Sequence, residues 1–201
     1  MTILKRNDQS GRSMVEMLGV LAIVGVLSVG GISGYSKAMA KYKLTKAQDQ
    51  VTMLLMNIRT AYATSPSYSG LTAAVAASYN LAPNEMVSSD KEKLYGTFGG
   101  EVEVGTVGTG STYFYITMRA LGKEACRALA TSDWGADGLV SVLVQADDGT
   151  TAPSATCTAG TSRPTSGPFC TKWLPIQLSD LGTTSSDLCG SETNKITWVY
   201  Y

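Results

Sequence analysis

The hydrophobic residues at the start of the chain follow two different patterns. From Met17 to Ile32 no residue carries a charge, and with its neighbours this run approaches the ~20 residues that cross a bilayer. Further on, apolar residues recur at the 3.6-residue period of an amphipathic helix. This stripe comprises Leu44, Ala47, Val51, Leu54, Leu55, Ile58 and Tyr62. No proline occurs before Pro66, so the pattern predicts one helix from about Met14 to Ala63.

The two halves of this helix need different surroundings. A helix that is apolar all round is buried in lipid or among other helices, whereas an amphipathic helix packs one side on its own domain. The sequence therefore predicts a membrane-spanning half at residues 12–35 and a second half at 36–63 that belongs to a globular domain covering 36–201.

The remaining sequence predicts an α+β domain with an antiparallel sheet. Residues 64–93 are a turn-rich connector with a short helix at Leu71–Tyr79, and the sheet and C-terminal region occupy 94–201. β-branched and aromatic runs predict strands at Leu94–Phe98, Glu101–Val104, Tyr113–Met118, Leu139–Gln145 and Ile196–Tyr201. Short helices are predicted at Lys123–Thr131 and Trp173–Leu181, with a polar loop at 147–171. The last strand is apolar enough to be central in its sheet.

Composition argues against catalysis and nucleic-acid binding. Sixteen basic residues balance sixteen acidic ones, and no basic patch exists beyond the lysines at 37–46, so we expect no nucleic-acid partner. The chain has no histidine, which removes the commonest general base and metal ligand. The chain also contains no Cys-x-x-Cys pair, so a zinc site is not expected. We therefore expect no enzyme activity, no metal and no cofactor.

Two other patterns have plainer structural explanations. The glycine-rich segment Gly105–Gly110 lacks the G-x-G-x-x-G order and a following helix, so a hairpin turn extending to Ser111 is favoured over a nucleotide loop. Glu101 and Glu103 share one face of a predicted strand, which favours a solvated edge over an acid–base pair.

Glu16 is the unusual residue at the start of the apolar segment. An ionised carboxylate inside hydrocarbon costs on the order of 3 kcal/mol, which makes such a residue a functional candidate. The alternative is a carboxylate that lies at the membrane interface a few residues before the apolar core begins.

The segment around Glu16 resembles the class III signal sequence of type IV pilins. A basic leader, Met1–Gly11, ends in glycine, and Glu16 would be the fifth residue after it. The resemblance implies cleavage between Gly11 and Arg12 by a prepilin peptidase and N-methylation of Arg12. Arg12 departs from the Phe or Met that usually begins the mature chain. The competing secretory site Ala38-Met39-Ala40 lies far beyond the apolar run.

Glycines in the apolar segment extend the resemblance. Gly30 and Gly34 form a G-x-x-x-G pair, which permits close helix packing. Gly25 lies where many pilins carry a helix-loosening glycine, and Ser33 stands where type IVa pilins have a proline. The resemblance therefore favours a type IVb pilin fold, with Glu16, Gly25, Gly30 and Gly34 acting in filament assembly.

Four cysteines lie in the C-terminal part of the chain, and an even number in an exported chain indicates two disulfides. Three pairings are possible, and we favour the nested one, Cys126–Cys189 with Cys157–Cys170, because a local bridge would order the short polar loop. Cys126 and Cys189 match the single disulfide that closes the C-terminal region of type IVb pilins. The second pair departs from that family pattern.

The resemblance implies a structural subunit of a type IV pilus that supports adhesion, aggregation or motility. Its partners would be other pilin subunits, the prepilin peptidase, an inner-membrane assembly platform and, before assembly, membrane lipid. The precursor would span the bacterial inner membrane once with a cytoplasmic N-terminus, and the assembled filament would be extracellular. The alternatives are a pseudopilin of a type II secretion system and a membrane-anchored periplasmic binding module that does not polymerise.

Overall fold

The computed structural model describes residues 10–135, 137–148, 168–182 and 187–201, with side chains from Met14 onwards. The chain divides after Tyr42 into two compact units. The first unit contributes the beginning of a long helix, and the second contains the rest of that helix, the sheet and two shorter helices.

Three helices and six strands make up the described chain. The helices are α1 (Ser10–Ala61), α2 (Ala73–Ser78) and α3 (Lys123–Ala130). The strands are β1 (Leu94–Tyr95), β2 (Glu101–Val107), β3 (Tyr113–Leu121), β4 (Leu139–Ala146), β5 (Pro168–Cys170) and β6 (Asn194–Tyr200). They form one antiparallel sheet in the order β1-β2-β3-β6-β4-β5. The C-terminal strand is central, as its apolar sequence predicted.

The predicted stripe on α1 is the helical half of the hydrophobic core. Ala47, Val51, Leu54 and Ile58 are fully buried, and they share one cluster with the inward-facing residues of the sheet. The large buried sheet residues in this cluster include Phe114, Ile116, Phe169, Trp198 and Tyr200. Burial of this kind contributes roughly 25 cal/mol per Å² of apolar surface, so the amphipathic pattern fixes which side of the helix faces the sheet.

Three strand predictions were wrong in their extent, and one of them is β3, which continues past Met118 to Leu121. β1 ends at Tyr95 rather than Phe98, because the amide of Gly99 bonds to the carbonyl of Gly96 in a tight turn. β2 continues to Val107, through the start of the segment predicted as a turn. Gly105 pairs with Tyr115, and a Cβ at Gly105 would lie 2.8 Å from the Tyr115 hydroxyl. The glycine therefore makes room for a ring on the next strand rather than turning the chain.

The region after β4 also differs from the prediction. The segment expected to be a helix, Trp173–Leu181, contains two separate 3₁₀ turns, Thr171–Trp173 and Leu178–Leu181. Pro175 between them follows a cis peptide bond and has no backbone N–H to continue a helix. β5 lies within the segment predicted to be loop, and it pairs with β4.

Arg59 connects the end of α1 to the end of the chain. Its guanidinium donates hydrogen bonds to the carbonyls of Asp137 (2.8 Å) and Tyr201 (3.4 Å) and lies over the ring of Tyr200. Gly138 has a φ of +75°, and a Cβ there would be 1.8 Å from the guanidinium. Only glycine satisfies both constraints at this position.

Gln50 lies off the apolar stripe in sequence, yet it is 4% exposed. Its amide nitrogen donates to the Glu85 carboxylate over 2.8 Å. Its amide oxygen accepts from the backbone N–H (3.1 Å) and the hydroxyl (2.8 Å) of Thr97. One side chain thus joins α1 to the connector and to the turn after β1.

We predict that Gln50→Leu lowers the free energy of unfolding by about 1–3 kcal/mol, because it leaves the backbone N–H of Thr97 without its acceptor. Urea unfolding of the detergent-solubilised chain, followed by circular dichroism, measures the change. Thr52→Ala alters an exposed position on the same helix and should change stability by less than about 0.5 kcal/mol. Equal losses in both variants would contradict this role for Gln50.

Candidate assembly site

The first part of α1 presents an apolar surface without a partner in its own unit. All described side chains from Met14 to Ala38 are exposed, and the exposed fraction reaches 75% at Val26. Among the described residues, α1 is the one helix long and apolar enough to cross a membrane, with a mean hydropathy of 2.2 in its most apolar window. Exposed apolar surface of this extent marks a contact with lipid or protein.

Glu16 is the only charged residue between Met14 and Ser36. The structure places it on α1 with its side chain exposed among apolar neighbours. It makes no ion pair with another described residue. A carboxylate on an apolar helix surface needs a cation or hydrogen-bond donors once water is excluded.

The predicted assembly glycines lie on the same exposed stretch of α1. At Gly25, Gly30 and Gly34 no heavy atom lies within 4 Å of the position that a Cβ would occupy. These backbone surfaces are therefore open to the close approach of another helix. Gly11 and Arg12 belong to the first turn of α1, and the side chain of Arg12 lies outside the described part of the chain. Their processing stays a prediction.

The disulfide predicted between Cys126 and Cys189 is present, with the two Cα atoms 5.8 Å apart. Both cysteines are fully buried, and the bridge fastens α3 to the segment that precedes β6. Cys170 is disulfide-bonded, while its predicted partner Cys157 lies outside the described residues. That second pairing stays a prediction.

A second contact reinforces the connection between α3 and the segment around Cys189. Arg127 on α3 forms an ion pair with Asp187, which also accepts a hydrogen bond from the Cys189 amide over 2.9 Å. Burial disfavours the ionised Asp187, but the Arg127 guanidinium and the Cys189 amide outweigh it and hold the pKa of Asp187 below its usual value. This contact therefore weakens when acid protonates Asp187.

A further ion cluster joins three strands on the opposite side of the sheet from α1. Arg119 on β3 pairs with Glu103 on β2 and, over 2.8 Å, with Asp147 just after β4. Burial raises the pKa of Asp147, but hydrogen bonds from Arg119 and the Ala120 amide prevail and lower it overall. Glu103 thus keeps about a third of its side chain exposed, but it belongs to an ion network across the strands, which its interpretation as a solvated edge carboxylate did not include.

Sequence reasoning missed Asp147 and Asp187 as structural carboxylates. Asp147 is 28 residues from Arg119, and Asp187 is 60 residues from Arg127. The spacing of these residues in the sequence does not reveal either ion pair. Their side chains meet only because the tertiary fold brings distant strands, and the segments on either side of the disulfide, close together. In the described part of the chain, no group of three or more His, Cys, Asp or Glu residues is arranged to hold a metal ion.

Comparison with known proteins gives consistent matches. The family model named Bundlin matches residues 37–168. The major structural subunit of bundle-forming pilus of Escherichia coli O127:H6 is 28% identical over 134 residues, which cover 66% of this chain and 69% of that protein. Toxin coregulated pilin of Vibrio cholerae is 27% identical over 133 residues, which cover 64% of this chain and 59% of that protein.

A solved structure supports the fold independently. The crystal structure of TcpA, a type IV pilin from the El Tor biotype of Vibrio cholerae, superposes with a TM-score of 0.52 at 16% identity. The match covers 80% of this chain and 99% of that one. It reproduces the predicted arrangement of a long N-terminal helix packed on an antiparallel sheet.

We predict that Cys126→Ser lowers the free energy of unfolding by about 4 kcal/mol, because it releases a loop of this length in the unfolded chain. Cys189→Ser and the double variant should lose the same amount, since each change removes the same bridge. Urea unfolding under non-reducing conditions measures the loss. A double variant much less stable than either single variant would indicate that the cysteines contribute through packing rather than through their bond.

Proposed function

Because the chain belongs to the bundlin family of type IVb pilins, we propose that it is a structural subunit of a type IV pilus. Its mechanism is assembly rather than catalysis. The observation that carries the proposal is the exposed apolar surface of α1 from Met14 to Ala38. The second compact unit of the same chain is a folded, disulfide-bonded domain.

This surface has two successive partners in the proposed mechanism. Before assembly it lies in the inner membrane, with Lys5 and Arg6 of the leader on the cytoplasmic side. A prepilin peptidase then cuts after Gly11 and frees the amine of Arg12. In the filament, the apolar helices of many subunits cover one another, and Gly25, Gly30 and Gly34 permit their close approach.

Glu16 sets the position of each subunit relative to its neighbour. Its exposed carboxylate has no charged partner among the described residues, so burial in a helix bundle requires a cation from elsewhere. The free amine of Arg12 of a neighbouring subunit supplies that cation. A misplaced subunit would leave a buried carboxylate without a partner, which is strongly unfavourable. The assembly platform in the membrane would deliver subunits to this contact.

Processing is tested first, by intact mass of the membrane-derived protein from cells with and without a prepilin peptidase. We expect loss of Met1–Gly11 only when the peptidase is present, with a methyl group on the amine of Arg12. Gly11→Val should block the loss because the peptidase requires the small residue before the cut. A mature chain that begins at Lys41 would contradict this account and indicate a secretory signal peptide.

Assembly is tested by Glu16→Ala, for which we expect normal membrane insertion but loss of filaments in electron micrographs of sheared cell-surface material. Glu92→Ala removes an exposed carboxylate from the globular unit and should leave filaments unchanged. Normal filaments from Glu16→Ala would exclude the proposed register contact. A wild-type chain that is processed but remains a monomer in the membrane would favour a non-polymerising anchor.

A further inference from the structure

Two adjoining cavities lie beside the loop that follows α3 in the globular unit. The inner cavity has a volume of about 80 Å³ and is the more enclosed of the two, and the outer cavity has a volume of about 360 Å³. Ser132, Asp133 and Trp134 line both cavities, which therefore meet at these three residues. We call the two cavities together the Trp134 cleft.

The inner cavity is mainly apolar. Leu139 and Val142 of β4 line one part of it, and Leu174, Pro175 and Ile176 line another. Apolar cavities of this kind exclude water and accept apolar groups of suitable size. One water needs roughly 10–15 Å³ by the same measure, so the inner cavity has room for a short aliphatic group.

Trp134 is a fixed aromatic wall of the cleft. Its indole N–H donates a hydrogen bond to the carbonyl of Leu129 over 2.8 Å. Its ring also packs on Trp198, which is fully buried, with the two ring centroids 4.5 Å apart. The face of an indole ring attracts a cation that lies within about 6 Å of the ring centroid.

Asp133 is the one charged residue among the described residues that line the cleft. One of its carboxylate oxygens accepts a hydrogen bond from the amide of Gly135 over 3.0 Å, which orients the side chain. It forms no ion pair with another described residue. The hydroxyl of Ser132, by contrast, already donates to the carbonyl of Ala128 and accepts from the amide of Gln48. Asp133 is therefore the group at the junction of the cavities that calls for a cation from a ligand.

We propose that the Trp134 cleft binds an aliphatic primary amine, with its tail in the inner cavity and its ammonium group beside Asp133. The tail leaves water, and the ammonium group gains both a carboxylate and the face of an indole ring. An anion of the same size would be repelled by Asp133. A free aliphatic amine has this chemistry, and so does the N-terminal amine of a peptide that begins with an aliphatic residue.

This inference is independent of the proposed function. The described residues that line the cleft begin at Gln48 and all belong to the globular unit. The exposed apolar surface at Met14–Ala38, which carries the proposed function, contributes none of them. Each proposal can therefore fail while the other holds.

The first test titrates the isotope-labelled full-length chain, in an uncharged maltoside detergent, with isoamylamine. The indole N–H signal of Trp134 in the nuclear magnetic resonance spectrum reports binding, and we expect a saturable shift. Isoamyl alcohol has the same tail without the charge and should bind roughly fivefold more weakly or worse. Isovalerate, an anion with a similar tail, should not bind. Equal affinities for the amine and the alcohol, or no saturable shift with the amine, would overturn the proposal.

Asp133→Asn tests the carboxylate, because asparagine keeps an oxygen that can accept from Gly135 but has no charge. It should lower the affinity for isoamylamine by roughly fivefold or more and leave the affinity for isoamyl alcohol unchanged. Asp137→Asn removes an exposed carboxylate further along the same loop, outside the residues that line the cleft, and should change neither affinity. Equal losses in the two variants would indicate a general attraction to negative charge and would contradict a site at Asp133.

Leu174→Phe tests the position of the tail by placing a larger side chain against the inner cavity. It should reduce binding of the amine and of the alcohol by roughly tenfold or more, because the cavity no longer has room for the tail. Leu178→Phe makes the same change at an exposed position outside the cleft and should reduce neither. Melting temperatures of both variants show that the fold is kept. Wild-type affinity for the amine in Leu174→Phe would overturn the proposed binding mode.

Leucinamide distinguishes the two sources of the amine. It carries an aliphatic side chain next to an amino group, as the first residue of a peptide does. Tighter binding of leucinamide than of isoamylamine would support the proposal with a peptide N-terminus as the ligand. Tighter binding of isoamylamine would support it with a free amine.

Discussion

The packing of the second part of α1 on the sheet is the contact on which the globular unit depends. Val51, Leu54 and Ile58 have no exposed surface and lie in one cluster with residues from β2, β3, β4 and β6. Because these residues occupy one side of the helix, the opposite side must face outwards. The same periodicity that builds the core therefore also leaves Met53 and Met56 exposed on the opposite side of the helix.

The rest of the domain is tied to this central contact by bonds that are distant in sequence. Gln50 reaches the turn after β1, Arg59 reaches the end of the chain, and the disulfide fastens α3 to the segment before β6. Arg119 holds β2, β3 and the end of β4 together through two carboxylates. These connections limit fraying at the edges of the domain.

The charge distribution along α1 connects structure to assembly. Between Met14 and Ser36 the helix carries one charged residue, Glu16, which we propose pairs with the free amine of a neighbouring subunit. From Leu44 to Ala61, Asp49 is the one charged residue among the exposed side chains of α1. In the proposed filament, such sparse charges would set the register between subunits, because a misplaced subunit would leave a carboxylate without a cation.

The sequence by itself determined the features that depend on local order. The apolar run, Glu16 five residues after Gly11, the stripe on α1 and the central last strand all follow from spacing or periodicity along the chain. The disulfide partner of Cys126 was also predictable, although only with the family resemblance. Tertiary structure alone decided the burial of Gln50, the extension of β2 through Gly105 and the pairing of Glu103 and Asp147 with Arg119. Each of these depends on a partner in another helix, strand or turn, whose position is set only when these elements have packed together.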